Sequence, residues 1–312
     1  MSRARVSLRG AAYELGEHEA SYREAHRFGE KIARFEMQDD AAAWGWGRFF
    51  RSERSRAELA VASASRTLAM AGCTGADMDA VILCAAEIPA SVDWQARYCR
   101  TVLEALGLDR AFVIGVTLGR CNTLLSAVYL ADRLVASQAY GSILVAASDR
   151  IVDEEERFQQ FALFSDGAAS CIVTSGPGEL AVLATASVLD PSALDAGERF
   201  GGRLGRSATD AITRQSGVAP DKISVVLPAN LFTPIVRINE GQAGFRPDQL
   251  YLRNIAERGH CFSADPLVNL VDLQGASGTR PGGYVLLTSS VPGSRVSILA
   301  EVLEPPLAKG VP

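Results

Sequence analysis

Residues 111 to 149 read AFVIGVTLGRCNTLLSAVYLADRLVASQAYGSILVAASD. Ala111 to Val116 is a short, mostly apolar run, and Thr123 to Val135 carries apolar residues on nearly every face. Together they predict a buried strand that feeds a buried helix, with Cys121 at the join. A thiol at a helix N-terminus sits among unpaired backbone N–H groups and the positive end of the helix dipole, which favours the thiolate. Cys121 is therefore a candidate nucleophile, although a cysteine there also reads as a small buried apolar residue.

Working outward, Ala131-Asp132, Ser137-Gln138 and the strand Ser142 to Ala147 follow Leu118-Gly119-Arg120-Cys121-Asn122-Thr123 in order. A second block, Leu163-Phe164-Ser165-Asp166-Gly167-Ala168-Ala169, lies downstream. The two blocks, at this separation, resemble the nucleophile segment and the Leu-Phe-Gly-Asp-Gly-Ala-Gly string of the type III ketoacyl-ACP synthases of the thiolase superfamily. The resemblance implies an α/β, five-layered αβαβα fold built from two pseudo-repeated halves, with two buried central helices.

The order of the chain suits that expectation. Residues 6 to 13 read as an opening strand, and residues 14 to 54, mixed in charged and aromatic residues, as loops and short helices over the site entrance. Ser55 and Glu58 form a capping-box pattern before a helix over 59–71 that stops at Gly72, and a strand ends at Cys84. Helix, break and strand recur at Gly205 to Ser216, Gly217 to Pro220 and Asp221 to Leu227. Cys121 then precedes its returning strand at Leu144 by 23 residues and His260 precedes Leu286 by 26. The two residues thus occupy equivalent turns of halves 1–175 and 176–312, which meet near Ser175-Gly176-Pro177-Gly178 and share one continuous core.

A thiolate and an imidazole at the starts of two central helices make a Cys121/His260 pair suited to thioester exchange. His260, one of three histidines, also reads as a structural turn residue. Asp265, before Pro266, reads as a helix N-cap rather than as the group that orients the imidazole. The resemblance adds roles and departures. The resembled enzymes carry a catalytic histidine in Pro-His-Gln-Ala-Asn, and here that position holds Leu227, or Ala229 if Pro228 is the anchor, with Asn230 nearby. Their catalytic asparagine follows a glycine, and here Gly259-His260 stands in that place. The resemblance also places an oxyanion turn at Pro281-Gly282-Gly283, with Gly282 and Gly283 joining the Cys121 N–H as donors, and Phe164 at the acyl pocket.

Without the family histidine, decarboxylative elongation lacks one of the two groups that stabilise its enolate. The sequence favours an acyltransferase acting through acyl-Cys121, from acyl-CoA or acyl carrier protein to an oxygen, nitrogen or carbon nucleophile in secondary metabolism. The alternative is a catalytically weak partner subunit, or a type III synthase silenced at its histidine position. The resemblance implies a homodimer, joined through the strand before the nucleophile, whose apolar edge would otherwise be left unpaired. The segment from Thr174 to Arg203 is Gly/Ala-rich and suits a wider channel.

Composition narrows the classes. At 312 residues, 48% hydrophobic and net charge −5 with no basic run, the chain does not suit nucleic acid or an anionic membrane. No stretch reaches a membrane span, so a cytoplasmic protein is expected. The six cysteines show no CxxC pair, so neither metal nor a disulfide framework is expected, and no cofactor is implied.

Overall fold

The computed structural model describes residues 5–89, 91–194, 202–276 and 278–303. Its strands are β1 Ser7–Leu15, β2 His18–Ser21, β3 Arg48–Arg51, β4 Ala80–Cys84, β5 Phe112–Val116, β6 Ser142–Asp149, β7 Gly167–Thr174, β8 Leu180–Leu189, β9 Ile223–Leu227, β10 Tyr284–Val291 and β11 Ser294–Val302. Its helices are α1 Phe28–Arg34, α2 Ala41–Trp44, α3 Arg56–Ala71, α4 Val92–Leu106, α5 Thr123–Ala136, α6 Gly202–Ser216, α7 Thr233–Ala243, α8 Arg253–Arg258 and α9 Asp265–Gly275.

Nine strands hydrogen-bond in the order β5-β4-β6-β7-β1-β8-β11-β10-β9. They form two runs of matching sense. β4 and β6 are parallel, β6 and β7 antiparallel, β7 and β1 antiparallel; likewise β9 and β10 are parallel, β10 and β11 antiparallel, β11 and β8 antiparallel. The runs touch where β1 meets β8, through Ser7↔Ala181 and Leu8↔Leu180. A counterpart of β5 in the second run is reduced to a single bridge between Val226 and Leu250.

Side-chain alternation explains the layers. In β6, Ile143, Val145 and Ala147 face a central cluster while Leu144 and Ala146 face an outer one; in β11, Val296, Ile298 and Ala300 face the centre and Leu299 the other side. The central cluster also takes Leu124, Leu125, Val128 and Ala131 of α5 with Leu267, Val268 and Leu270 of α9, all fully buried. Helices apolar on nearly every face are what such a middle layer requires. α3 and α4 cover one sheet and α6 and α7 the other, completing five layers. The α3 start is capped as expected, with Ser55 and Glu58 reciprocating and Gly72 left-handed at φ 62°.

Three local expectations change. β5 is not buried in the single chain: Phe112 is 58% and Val113 38% exposed, because β5 ends the sheet with β4 as its one partner. Residues 14 to 54 contain, besides short helices, the β2–β3 ribbon, folded around Phe28, Trp46 and Phe49 with Phe158 and Phe232. The Gly/Ala-rich segment from Thr174 to Arg203 includes β8, and its residues 195–201 lie outside the described residues. Among the described residues no helix is long and apolar enough to cross a membrane.

Candidate active site

After β5 the chain makes a tight turn. Leu118 and Arg120 adopt left-handed φ of 68° and 49°, uncommon for side-chain-bearing residues, and a 3-10 turn over Arg120–Asn122 leads into α5 with Cys121 at its middle. The β10–β11 hairpin holds this turn. Ser289 Oγ donates to the Cys121 carbonyl at 2.8 Å, Arg120 Nη2 donates to the Pro292 carbonyl at 2.8 Å, and Asn122 Nδ2 lies 3.2 Å from Ser294 Oγ.

Cys121 is half-buried, whereas Cys84, Cys171 and Cys261 are fully enclosed. Burial pushes the Cys84 and Cys261 thiols well above the usual range and Cys171 to about 12. Burial raises the Cys73 thiol as well. These four are poor nucleophiles for that reason.

His260 arrives by a different route. α8 ends at Arg258, Gly259 turns the chain at φ 67°, and the His260 peptide is pinned to the Leu163-to-Ser165 segment: its N–H donates to Leu163 at 2.8 Å and its carbonyl accepts from Ser165 at 2.9 Å. A β-carbon on Gly259 would lie 2.7 Å from Ser165 Oγ, so that close approach requires glycine. The imidazole is fully buried, with Nε2 3.3 Å from Cys121 Sγ and Nδ1 2.5 Å from Asp265 Oδ2.

Asp265 therefore does more than begin α9. Its Oδ1 accepts from the Cys261 N–H at 2.6 Å and its Oδ2 from the Asn230 N–H at 2.6 Å, so the carboxylate is aimed by two peptide groups. Its own helix is capped at Ala264 without a side-chain bond. The Asp-Pro pair marks the helix start, but the carboxylate faces back to the imidazole five residues earlier. With Nδ1–H donating to an ionised carboxylate, Nε2 is the atom that exchanges a proton with Cys121. Burial alone would depress the His260 pKa; the charges of Asp265 and Cys121 outweigh it and raise it to about 10. His260 is thus held as the imidazolium at neutral pH, with its Nε2 beside Cys121 Sγ.

The other sequence-predicted positions fall as follows. Phe164 packs its ring 4.8 Å from the imidazole centroid, and Phe262 lies 4.7 Å from Phe164. Asn230 Nδ2 donates to the Gly259 carbonyl at 2.9 Å and Asn230 Oδ1 accepts from Asn269 Nδ2 at 3.0 Å, which ties the end of β9 to the histidine turn. Leu227 is fully buried in the central cluster and Ala229 packs near Phe164, so both candidates for the family-histidine position are apolar contacts.

Gly282 and Gly283 are not brought to the thiol. The Gly282 N–H donates to Val302 at 2.8 Å and that of Gly283 to Arg280 at 2.9 Å. They precede β10, while Ser289, near its other end, is the residue that touches the nucleophile turn. The resemblance placed the glycine turn before β10, whereas the residue that touches the nucleophile turn is near the strand's end. Missed in the sequence were the orienting role of Asp265, for which its spacing from His260 was the available signal, and Ser289, which carried none. Among the described residues no group of three or more His, Cys, Asp or Glu side chains is placed to hold a metal ion.

The model of the family 3-oxoacyl-[acyl-carrier-protein] synthase III matches residues 117–191. The mycobacterial beta-ketoacyl-[acyl-carrier-protein] synthase III of Mycobacterium marinum is 25% identical over 294 residues, covering 83% of this chain and 84% of that protein. Among solved structures, the acyltransferase ChlB3 superposes with TM-score 0.82 at 18% identity over 96% of this chain and 98% of its own. FabH of Pseudomonas aeruginosa gives 0.78 at 18% over 96% and 99%, and OleA of Xanthomonas campestris 0.81 at 16% over 97% and 100%. The fold is that of the thiolase-like enzymes. In sequence and fold the chain is similar to these type III ketoacyl-ACP synthases and acyltransferases.

Proposed function

We propose that this protein transfers an acyl group from a CoA or carrier-protein thioester to a hydroxyl or amine through an acyl-Cys121 intermediate. The observation that carries the reading is the buried line from Cys121 Sγ to His260 to Asp265, at 3.3 and 2.5 Å. The Cys121 thiolate attacks the thioester carbonyl, and the Cys121 N–H is assigned to the oxyanion. The carbon–sulfur bond to the carrier breaks, and its thiolate leaves with the proton held on His260. Neutral His260 then takes the proton of the acceptor hydroxyl or amine as that group attacks acyl-Cys121. Expulsion of the Cys121 thiolate restores the starting ion pair, with Asp265 holding the imidazole in one tautomer throughout.

Leu227 and Ala229 support an oxygen or nitrogen acceptor over a carbon one, because neither can donate to an enolate. We place the reaction in secondary metabolism for that reason. A weak partner subunit has the same apolar positions in its favour, but it gives no reason to keep an aligned Cys–His–Asp line. We also assign halves 1–175 and 176–312, each giving one member of the pair, and a homodimer through the exposed apolar edge of β5. The test is turnover of a panel of acyl thioesters with alcohols and amines. Transfer that is lost in Cys121→Ala supports the reading; transfer that persists in that variant removes it.

A further inference from the structure

Beyond the thiol–imidazole line, the chain buries an ion pair that the mechanism leaves without a role. Arg295 of β11 and Glu240 of α7 are both buried and meet fork to fork: Nη1 donates to Glu240 Oε1 at 2.9 Å and Nη2 to Glu240 Oε2 at 2.6 Å. Nη1 also donates to Ser290 Oγ at 3.0 Å. Arg295 Nε is buried and, among the described residues, has no hydrogen-bond partner. Stability alone gives little reason for such a pair. Taking two charges out of water offsets most of their attraction, and apolar side chains of similar volume often hold a fold as well. What a bidentate pair adds is one fixed geometry.

Its place in the hairpin shows what that geometry fixes. β10 and β11 pair as Ser289↔Val296, Ser290↔Arg295 and Val291↔Ser294. Side chains alternate across a strand, so Ser289 and Ser294 project from one face of the hairpin and Ser290 and Arg295 from the other. The first face holds the nucleophile turn, through Ser289 on the Cys121 carbonyl and Ser294 on Asn122. The second face is held by Glu240. The helix α7 begins at Thr233, just after Asn230, whose N–H donates to Asp265 Oδ2 and whose Nδ2 donates to the Gly259 carbonyl beside His260. Glu240 lies about two helical turns further along. α7 thus links the turn that carries His260 to the hairpin that holds Cys121.

We propose that the Glu240–Arg295 ion pair positions the nucleophile, by fixing the β10–β11 hairpin against α7 and with it the approach of Cys121 Sγ to His260 Nε2. This rests on the reading of Cys121 and His260 as the reacting pair. Glu240 and Arg295 are positioning residues, since neither bonds to the thiol or to the imidazole. When the fork is lost, the hairpin keeps its strand pairing but not its register against α7, and Cys121 shifts away from the imidazolium.

The experiment compares the full chain with two variants. Glu240→Met with Arg295→Met removes both charges and fills a similar volume, so no unpaired charge is left buried. Arg295→Lys keeps the charge without the fork. Each is followed by its urea midpoint, by the rate of iodoacetamide alkylation of Cys121 at pH 7 with peptide mapping, and by NMR titration of His260. The double variant should unfold at the same urea concentration as the unaltered chain or higher. Its Cys121 should nevertheless be alkylated about tenfold more slowly, the loss that a one-unit change in ionisation brings. The His260 titration midpoint should fall below about 10, because the Cys121 charge that helps to raise it is then more distant. Arg295→Lys should lie between the double variant and the unaltered chain in both readings. Unchanged alkylation or an unchanged His260 midpoint in either variant overturns the proposal. So does a loss in which Cys84, Cys171 and Cys261 also become labelled, because the fold has then loosened as a whole. Should the double variant not fold, Arg295→Lys decides by the same readings. None of them uses an acyl thioester, so failure of the unaltered chain to form acyl-Cys121 would sink the acyl-transfer reading separately.

Discussion

Asp265 Oδ2 lies 2.5 Å from His260 Nδ1, and both side chains are fully buried. The carboxylate is itself fixed by the N–H groups of Cys261 and Asn230, so it orients the imidazole and holds its charge.

Replacing Asp265 by Asn should keep the fold and lower acyl transfer by about 10^2 to 10^4, the range for losing an oriented acid–base partner. The pKa of His260 should fall from about 10 toward its ordinary value, since its largest positive contribution is removed. NMR titration of the imidazole with transfer kinetics checks both. An unchanged His260 pKa would deny Asp265 its assigned role.

The same charge pair sets a pH dependence of stability. A histidine whose pKa is raised in the folded state adds stability that is fully present below about 6.5 and is lost as pH rises through about 10. Denaturation midpoints should therefore fall across that window, and His260→Ala should flatten the fall. Equal slopes in both proteins would mean the imidazolium is not stabilised here.

Asp149 gives a second handle of the same sign at lower pH. Burial raises its pKa to about 7, so its folded-state preference for the proton is present below the usual carboxylate range and is lost as pH rises through 7. Asp149→Asn, which can still accept from the Ala86 N–H, should stabilise the chain on the order of 1–3 kcal/mol at pH 8 and change little at pH 4. Urea denaturation at the two pH values reads the difference, and equal effects would contradict it.

Selective chemistry should single out Cys121. Mild iodoacetamide should modify it before Cys84, Cys171 and Cys261, whose burial blocks both ionisation and access. Peptide mapping decides it, and first labelling at Cys73 or Cys99 would leave Cys121 without special reactivity.

Much of this was readable from the residues, for physical reasons. Helices such as α5 and α9, apolar on almost every face, have no stable place except between layers, and the caps at Ser55 and Gly72 state where α3 begins and ends. Cys121 and His260 were legible as a pair because each stands shortly before such a helix. What was hidden depends on distant partners. The exposure of Phe112 follows from β5 being the last strand, which its own composition does not reveal. The direction of the Asp265 carboxylate depends on Asn230, 35 residues away. Gly282 and Gly283 were oxyanion donors by resemblance, yet their N–H groups go to the Val302 and Arg280 carbonyls.

The central claim is best tested by pulse and chase with intact-mass detection. The protein and His260→Ala are incubated with an acyl thioester, the excess is removed, and an alcohol or amine is added. The unaltered protein should show one acyl mass on the Cys121 peptide, discharged on adding acceptor. His260→Ala should load more slowly, from loss of the ion pair, and retain the adduct after the chase. An acyl mass on another residue, no acyl mass at all, or discharge from His260→Ala at the unaltered rate would contradict it.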